Sequence, residues 1–447
     1  MKRRDFIKIS AAGAAALGAG SVLTSGAQDA SGEAGEMAVR VNPVNGDKTS
    51  LIGYGCMRWP MIKGPDGKDV IDQEAVNEMV DYAIEHGINY FDTSPAYLQG
   101  QSERAAGTAL SRHPREKYFL ATKLSNFGDS SREGSIKMYH DSFRDLQTEY
   151  IDYYLLHSLG SQGNSSYKAR YVDNGMIDFL KAEKEAGRIR NLGFSFHGPQ
   201  DQFDFLMGLF DSGEVKWDFC LIEMNYVDWT HADGRRNTNA KYLYEQLDSR
   251  GIPIMVMEPL LGGRLARVPA NIADQLKKRN PDVSVASWAF RFVGSFPRVQ
   301  VILSGMTNME PLRENVQTFS HFVPMNEEEL AFMERMAIEM KEYPLIGCTD
   351  CKYCMPCPWG IDIPGIFQHY NRCITDGTYA QSSEQKDYRK LKRAYLVSYD
   401  RAVPPLRQAS HCITCGECVT HCPQSIPIPR ELKRIDDYIE KLKQDKL

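Results

Sequence analysis

Two groups of residues in this chain have types and spacings suited to chemistry. The first is cysteine: eleven occur in 447 residues, and nine of them follow residue 347. Cys348, Cys351, Cys354 and Cys357 stand three apart, with Pro358 after the fourth. Cys412, Cys415 and Cys418 repeat the spacing, and Cys422-Pro423 follows after three intervening residues. Three thiolates in so tight a loop reach three irons of one cubane cluster, and the proline turns the chain away after the fourth. Zinc ribbons use separated cysteine pairs, so two triplets plus a fourth exceed that need. Disulfides suit an oxidising compartment, but three cysteines at this spacing cannot all pair locally. The second group is Asp92, Tyr97, Lys123 and His157, each at or just past the end of a short apolar run. A tyrosine titrates near ~10, too high to release its proton easily. A neighbouring lysine ammonium lowers that value by favouring phenolate, and an aspartate holds the lysine charged and in place. A histidine beside them orients a carbonyl oxygen next to the phenol. Taken singly, His157 reads as a core histidine, Asp92 as a helix cap and Lys123 as a solvated strand end. Their joint occurrence on three consecutive run ends argues for proton handling.

Something must bring those run ends together. From residue 38 the chain alternates short apolar runs with longer amphipathic stretches. The runs are 50–57, 88–93, 118–124, 151–157, 189–196, 219–226, 252–259 and 299–305. Each is rich in β-branched or aromatic residues and short enough for a buried strand. Between them, residues 72–86 place Ala75, Met79, Val80, Ala83 and Ile84 on one helical stripe, and Gly87 stops the helix. Eight strand–helix units in about 280 residues predict an α/β fold of the (β/α)8 barrel type, whose functional groups sit at the C-terminal strand ends. A doubly wound open sheet is the alternative. It would place a glycine-rich turn after the first strand, and none occurs.

Composition narrows the classes. Hydrophobic residues make up 42% and charged residues 25%, with a formal net charge of −5. That is a globular chain with no surplus of cations to neutralise nucleic-acid phosphates. No apolar run reaches the ~20 residues of a stable membrane span. The chain opens Met1-Lys2-Arg3-Arg4-Asp5-Phe6-Ile7-Lys8, followed by a weakly apolar Ala/Gly/Ser stretch to about Ala27. The paired arginines before Phe6 and Lys8 resemble a twin-arginine (Tat) signal, the other reading being a disordered basic tail. Residues 1–27 are therefore expected to be a signal read by the Tat export machinery. The protein would be periplasmic, with 28–37 a polar linker.

The barrel residues also resemble the aldo-keto reductase family over residues 38 to about 325. The resemblance is carried by Gly53-Tyr54-Gly55-Cys56-Met57-Arg58, Phe91-Asp92-Thr93-Ser94-Pro95-Ala96-Tyr97, Ala121-Thr122-Lys123, Leu155-Leu156-His157 and Gly193-Phe194-Ser195. It implies a catalytic tetrad of Asp92, Tyr97, Lys123 and His157, with Tyr97 as general acid and NADPH delivering hydride. It also implies a cofactor site built from Ser195, Asn225, Gly262, Gly263, Ser304, Gly305, Arg313 and Asn315. Several family positions differ. Phe196 replaces an amide-binding Asn, Leu221 a Gln, and Met257 the Tyr that stacks on nicotinamide. Arg313 is the only cation near the 2′-phosphate position, so NADP and NAD both remain expectations.

The second cysteine run is that of bacterial ferredoxins. In two-cluster ferredoxins the fourth cysteine of each run serves the other cluster. That pattern assigns Cys348, Cys351, Cys354 and Cys422 to one 4Fe–4S cluster and Cys412, Cys415, Cys418 and Cys357 to the other. The first run has two residues instead of three before Cys357, which leaves one or two clusters open. The expected organisation is thus a barrel over 38–340 and a small, mainly helical ferredoxin-type domain over 341–447. The expected function is an exported oxidoreductase acting on a small carbonyl or alcohol, with electrons passing to or from the clusters. The alternative is an electron-transfer subunit whose barrel docks a partner redox protein. Trp59, His197 and Trp229 are candidate pocket walls.

Overall fold

A computed structural model describes residues 35–160, 163–232 and 237–447. The expected signal and most of the linker lie outside the described residues. Eight parallel strands close a barrel: β1 (Ile52–Gly55), β2 (Tyr90–Asp92), β3 (Phe119–Leu124), β4 (Ile151–Leu159), β5 (Ile189–Phe196), β6 (Phe219–Glu223), β7 (Ile254–Met257) and β8 (Val299–Ser304). They neighbour one another in chain order, and β8 pairs with β1 to complete the ring. Every apolar run named above becomes one of these strands. The first is cut short because Cys56–Arg58 closes into a 3-10 turn.

The strands are apolar on both faces because both are covered. Inside, Tyr90, Tyr153, Phe219, Leu155, Leu221, Met255 and Val301 fill the barrel as a packed core. Outside, amphipathic helices bury their stripes. Helix α1 (Gln73–Glu85) buries Val76, Met79, Val80 and Ala83, and the Asp72 side chain caps it by accepting the Ala75 N–H at 3.1 Å. Helices α2 (Ser102–Leu110) and α3 (Arg132–Leu146) pack closely at Gly107, where an added Cβ would stand 2.2 Å from the Asp145 carbonyl oxygen.

The last barrel helix, α4 (Glu327–Lys341), starts with a capping box between Asn326 and Glu329. A second core then begins at Ile346, with Tyr343 and Leu345 packed against both cores. It is built from α5 (Ile363–Thr375), α6 (Tyr388–Ala402) and α7 (Ile428–Lys443). Helix α7 buries Leu432, Ile435, Ile439 and Leu442, which recur at helical spacing along one face. Both cysteine runs lie in loops: one before α5, the other between α6 and α7.

Candidate functional site at the barrel mouth

Asp92 ends β2, and its side chain meets Lys123 of β3. Lys123 Nζ donates to Asp92 Oδ1 at 2.5 Å and to the Thr93 carbonyl at 2.8 Å, with both side chains buried. Tyr97 follows on a short turn whose next residues, Leu98 and Gln99, hold φ of 49° and 56°. Left-handed geometry in two non-glycine residues is strain of the kind that clusters at functional positions. The ammonium lies 4.8 Å from the Tyr97 ring centroid. The direction of the Tyr97 shift corrects the expectation: burial first, then the Asp92 charge, pushes its hydroxyl well above the ordinary tyrosine value. The physical reason is burial, which disfavours the charged phenolate, joined by repulsion from the neighbouring Asp92 carboxylate.

His157, on β4, packs edge-on to Tyr97 with ring centroids 6.0 Å apart. Its Nδ1 lies 2.5 Å from Ser125 Oγ and 3.4 Å from Ser94 Oγ. Burial, then Lys123 and Arg170, hold its pKa well below the usual histidine range, so the ring is neutral. The four tetrad candidates therefore cluster at the C-terminal strand ends, with Asp92 and Tyr97 lining the open cavity there.

The cysteines form two groups. Cys348, Cys351, Cys354 and Cys422 line one tight cavity. Cys357, Cys412, Cys415 and Cys418 line a neighbouring cavity of about 220 Å3, which Cys354 also borders. The fourth cysteine of each run has crossed to the other group, and Cys357 makes that crossing despite its shorter spacing. Burial pushes the Cys348 and Cys351 thiols up to about 12 and Cys418 to about 11. Such thiols stay protonated until a cation compensates them. Four thiols around each of two cavities fit two 4Fe–4S cubanes. Among the described residues no three His, Cys, Asp or Glu side chains converge on a single metal ion. A cubane holds its thiolates farther apart than one ion does. Cys373 stands apart, buried with Sγ 3.4 Å from His369 Nε2. Cys56 and Cys220 are buried in the barrel.

The first cysteine loop roofs the barrel mouth. Tyr353, between two cysteines of one group, points its hydroxyl to 3.4 Å from His157 Nε2. Asp350 and Lys352 beside it hold φ of 55° and 64°. Arg58, after β1, donates to the Thr349 carbonyl at 2.5 Å and pairs with Asp350 at 3.4 Å. Across the mouth, Gln424 donates to Glu223 Oε2 at 3.0 Å. Three mouth carboxyls have raised pKa values, chiefly through burial: Glu223, Asp228 (up to about 7) and Glu258 (up to about 7). Tyr353, Glu258 and a role for Arg58 were missed by sequence reasoning. Only the position of Tyr353 between two ligand cysteines offered a signal. Of the suggested pocket walls, Trp59 and Trp229 are buried core, while His197 Nδ1 approaches Glu223 at 3.3 Å.

The eight expected nicotinamide-site residues lie around this mouth and the β8 helix, but their polar groups are engaged elsewhere. Ser195 Oγ accepts the Ser158 N–H at 2.8 Å. Asn225 donates to Asp228 at 2.8 Å and accepts from the Val227 and Asp228 N–H groups. Asn315 donates to Ser304 Oγ at 3.1 Å. Gly305 is packed beneath Arg58, and Gly262 against Thr349. Gly263 is exposed, its N–H bonded to the Leu260 carbonyl at 2.9 Å. Arg313 lies over the Tyr82 ring in a surface hollow lined by Glu74, Glu78, Asp81 and Glu85. Gly262, Gly263, Ser304 and Gly305 nevertheless line one open cavity with Asp92 and Tyr97.

The barrel and its tetrad define a class. The aldo/keto reductase family model matches residues 51–338, and the chain belongs to that family. A 4Fe-4S dicluster domain matches residues 347–426. Among relatives, the uncharacterized oxidoreductase YqkF of Bacillus subtilis is 24% identical over 64% of this chain and 92% of its own. L-galactose dehydrogenase of Arabidopsis thaliana is 26% identical over 66% and 93%. Among solved structures, the holo form of aldo-keto reductase AKR11C1 from Bacillus halodurans has a TM-score of 0.53 at 21% identity, covering 67% of this chain and 96% of that one. The protein is an oxidoreductase of the aldo/keto reductase family carrying an iron–sulfur domain.

Proposed function

We propose that the protein interconverts a small carbonyl compound and its alcohol at the tetrad, beneath the iron–sulfur domain. The observation that carries this is the clustering of Tyr97, the Lys123–Asp92 pair and a neutral His157 at the barrel mouth. Burial leaves the Tyr97 phenol protonated at neutral pH, the state that the acid of the reducing direction needs, while the raised pKa makes it a weaker donor. Tyr97 therefore holds the proton destined for the carbonyl oxygen. His157 orients that oxygen through Nε2, with Ser125 fixing the ring from the other nitrogen. Lys123 and Asp92 keep the phenol seated without taking its proton. The arrangement carries no step through a dinucleotide. Cys348, Cys351, Cys354 and Cys422 would hold one cluster, and Cys357, Cys412, Cys415 and Cys418 the other. Such clusters carry single electrons, so they would supply the two electrons of carbonyl reduction one at a time from a redox partner, with Tyr97 giving one proton and solvent the other.

The decisive measurement is carbonyl reduction by Tyr97→Phe with iron content unchanged. Turnover should fall by at least ~100-fold, the scale of general acid catalysis. Full turnover on every carbonyl the wild type reduces would favour the second reading, an electron-transfer subunit whose barrel docks a redox partner. The cysteine loop roofing the mouth is the observation on that side. We further propose export through the Tat route to the periplasm, supported by Arg3-Arg4 ahead of Phe6 and Lys8. Replacing both arginines with lysine should leave folded protein in the cytoplasm, and undiminished periplasmic delivery would remove the proposal.

A further inference from the structure

The turn after β7 is shaped for an anion. Leu261, Gly262 and Gly263 take φ of 50°, 67° and 93° in succession. Consecutive N–H groups in turn conformations of this kind form a concave nest for negative charge. A carboxyl group already sits there. Glu258, itself at φ 56°, turns its carboxylate back so that Oε2 accepts the Gly262 N–H at 2.6 Å. A phosphate brought to this turn would meet a carboxylate where it needs donors, and close like charges oppose binding.

Three further observations point the same way. The other side of Gly262 is shut, since a Cβ built there would stand 2.4 Å from Thr349 Cα. The mouth cation Arg58 is committed to Thr349 and Asp350. Arg313, the one cation expected to meet a 2′-phosphate, lies among four carboxylates instead. The space left beside Tyr97 is about 240 Å3, below the ~300–1,000 Å3 typical of pockets for drug-sized ligands.

We infer that this barrel binds no nicotinamide dinucleotide: the Glu258 carboxyl fills the turn after β7, Thr349 of the cysteine loop packs against Gly262, and the cavity beside Tyr97 is left to a small substrate alone. The inference rests on the carbonyl–alcohol reading only for what occupies that cavity. The occupied turn stands on its own geometry.

The test uses the full-length holoprotein, purified under argon with its clusters intact. NADPH, NADH and inorganic pyrophosphate are offered in equilibrium dialysis, and denatured protein is assayed for released nucleotide by mass spectrometry. No saturable binding tighter than about 1 mM is expected for any of the three, and no released nicotinamide. A micromolar Kd for either dinucleotide, or its stoichiometric release, overturns the inference. Glu258→Gln removes the charge at constant side-chain length. This variant should bind pyrophosphate at least about tenfold more tightly than the wild type, with visible cluster absorbance unchanged. Equal affinity in the two proteins overturns the part given to Glu258. Tyr97-dependent carbonyl reduction driven by NADPH would overturn this inference while leaving the proposed reaction standing. Absence of Tyr97-dependent turnover with any donor would remove that reaction, and the binding results would still decide the turn.

Discussion

Lys123, with 1% of its surface exposed, pairs in the interior with the buried carboxylate of Asp92. Removing one member of such a pair strands the other. Lys123→Met should cost about 3–5 kcal/mol of folding stability. The double variant Lys123→Met/Asp92→Asn, which leaves no buried charge, should recover much of that loss in urea melts. Equal losses in the single and double variants would mean that the pair contributes packing and not charge compensation. Glu103, on α2, makes an opposite case. It is buried, accepts from Thr122 at 2.5 Å and Ser142 at 3.2 Å, and burial pushes its pKa up to about 7. The folded state therefore keeps a proton that the unfolded chain gives up above ~4.5, and stability is lost as pH rises from there through 7. Glu103→Gln lacks that term. Between pH 5 and pH 8 its stability relative to wild type should improve by about 2 kcal/mol. A pH-independent difference between the two would refute the protonated carboxyl.

Among the elements, the eight strands were legible because each is buried on both faces, so its run reads as continuously apolar. The helices were legible through their stripes, and α7 lies with the face its sequence announced. The cysteine spacing likewise displayed the two ligand groups, since that pattern describes the loop itself. Other features were hidden because they depend on which way one side chain turns. Spacing marks Cys351 and Cys354 as ligands but leaves open what Tyr353 between them faces. Adjacency places Lys123 near Tyr97 without revealing that its donors go to Asp92 and Thr93. Gly262 was legible as a close-approach residue, yet the approaching groups are Thr349 and Glu258. Helix packing supplies a test in which two known effects compete. Gly107→Ala gains ~1 kcal/mol of helix propensity. The new methyl would meet the backbone of α3 at Asp145 and Leu146, which cannot step aside as a flexible side chain can. Overpacking of this kind costs about 1–3 kcal/mol. A net loss should appear as a lower denaturant midpoint, and a higher midpoint would show that α2 can shift away from α3.

For the whole molecule, the crossed cysteines tie the two runs into one unit. The holoprotein should contain about eight irons if both cavities hold 4Fe–4S clusters. Cys422→Ser should remove the same electron paramagnetic resonance signal as Cys348→Ser and leave about four irons. Loss instead of the signal removed by Cys412→Ser would uncross the ligands. The roof over the mouth also has a chronology. Arg58 reaches Thr349 across 291 residues of chain, Gln424 reaches Glu223 across 201, and Tyr353 reaches His157 across 196. The eight barrel strands are synthesised before any residue of the roof, and contacts so distant in sequence close late. The mouth above Asp92, Tyr97, Lys123 and His157 therefore gains its roof only when the last quarter of the chain arrives.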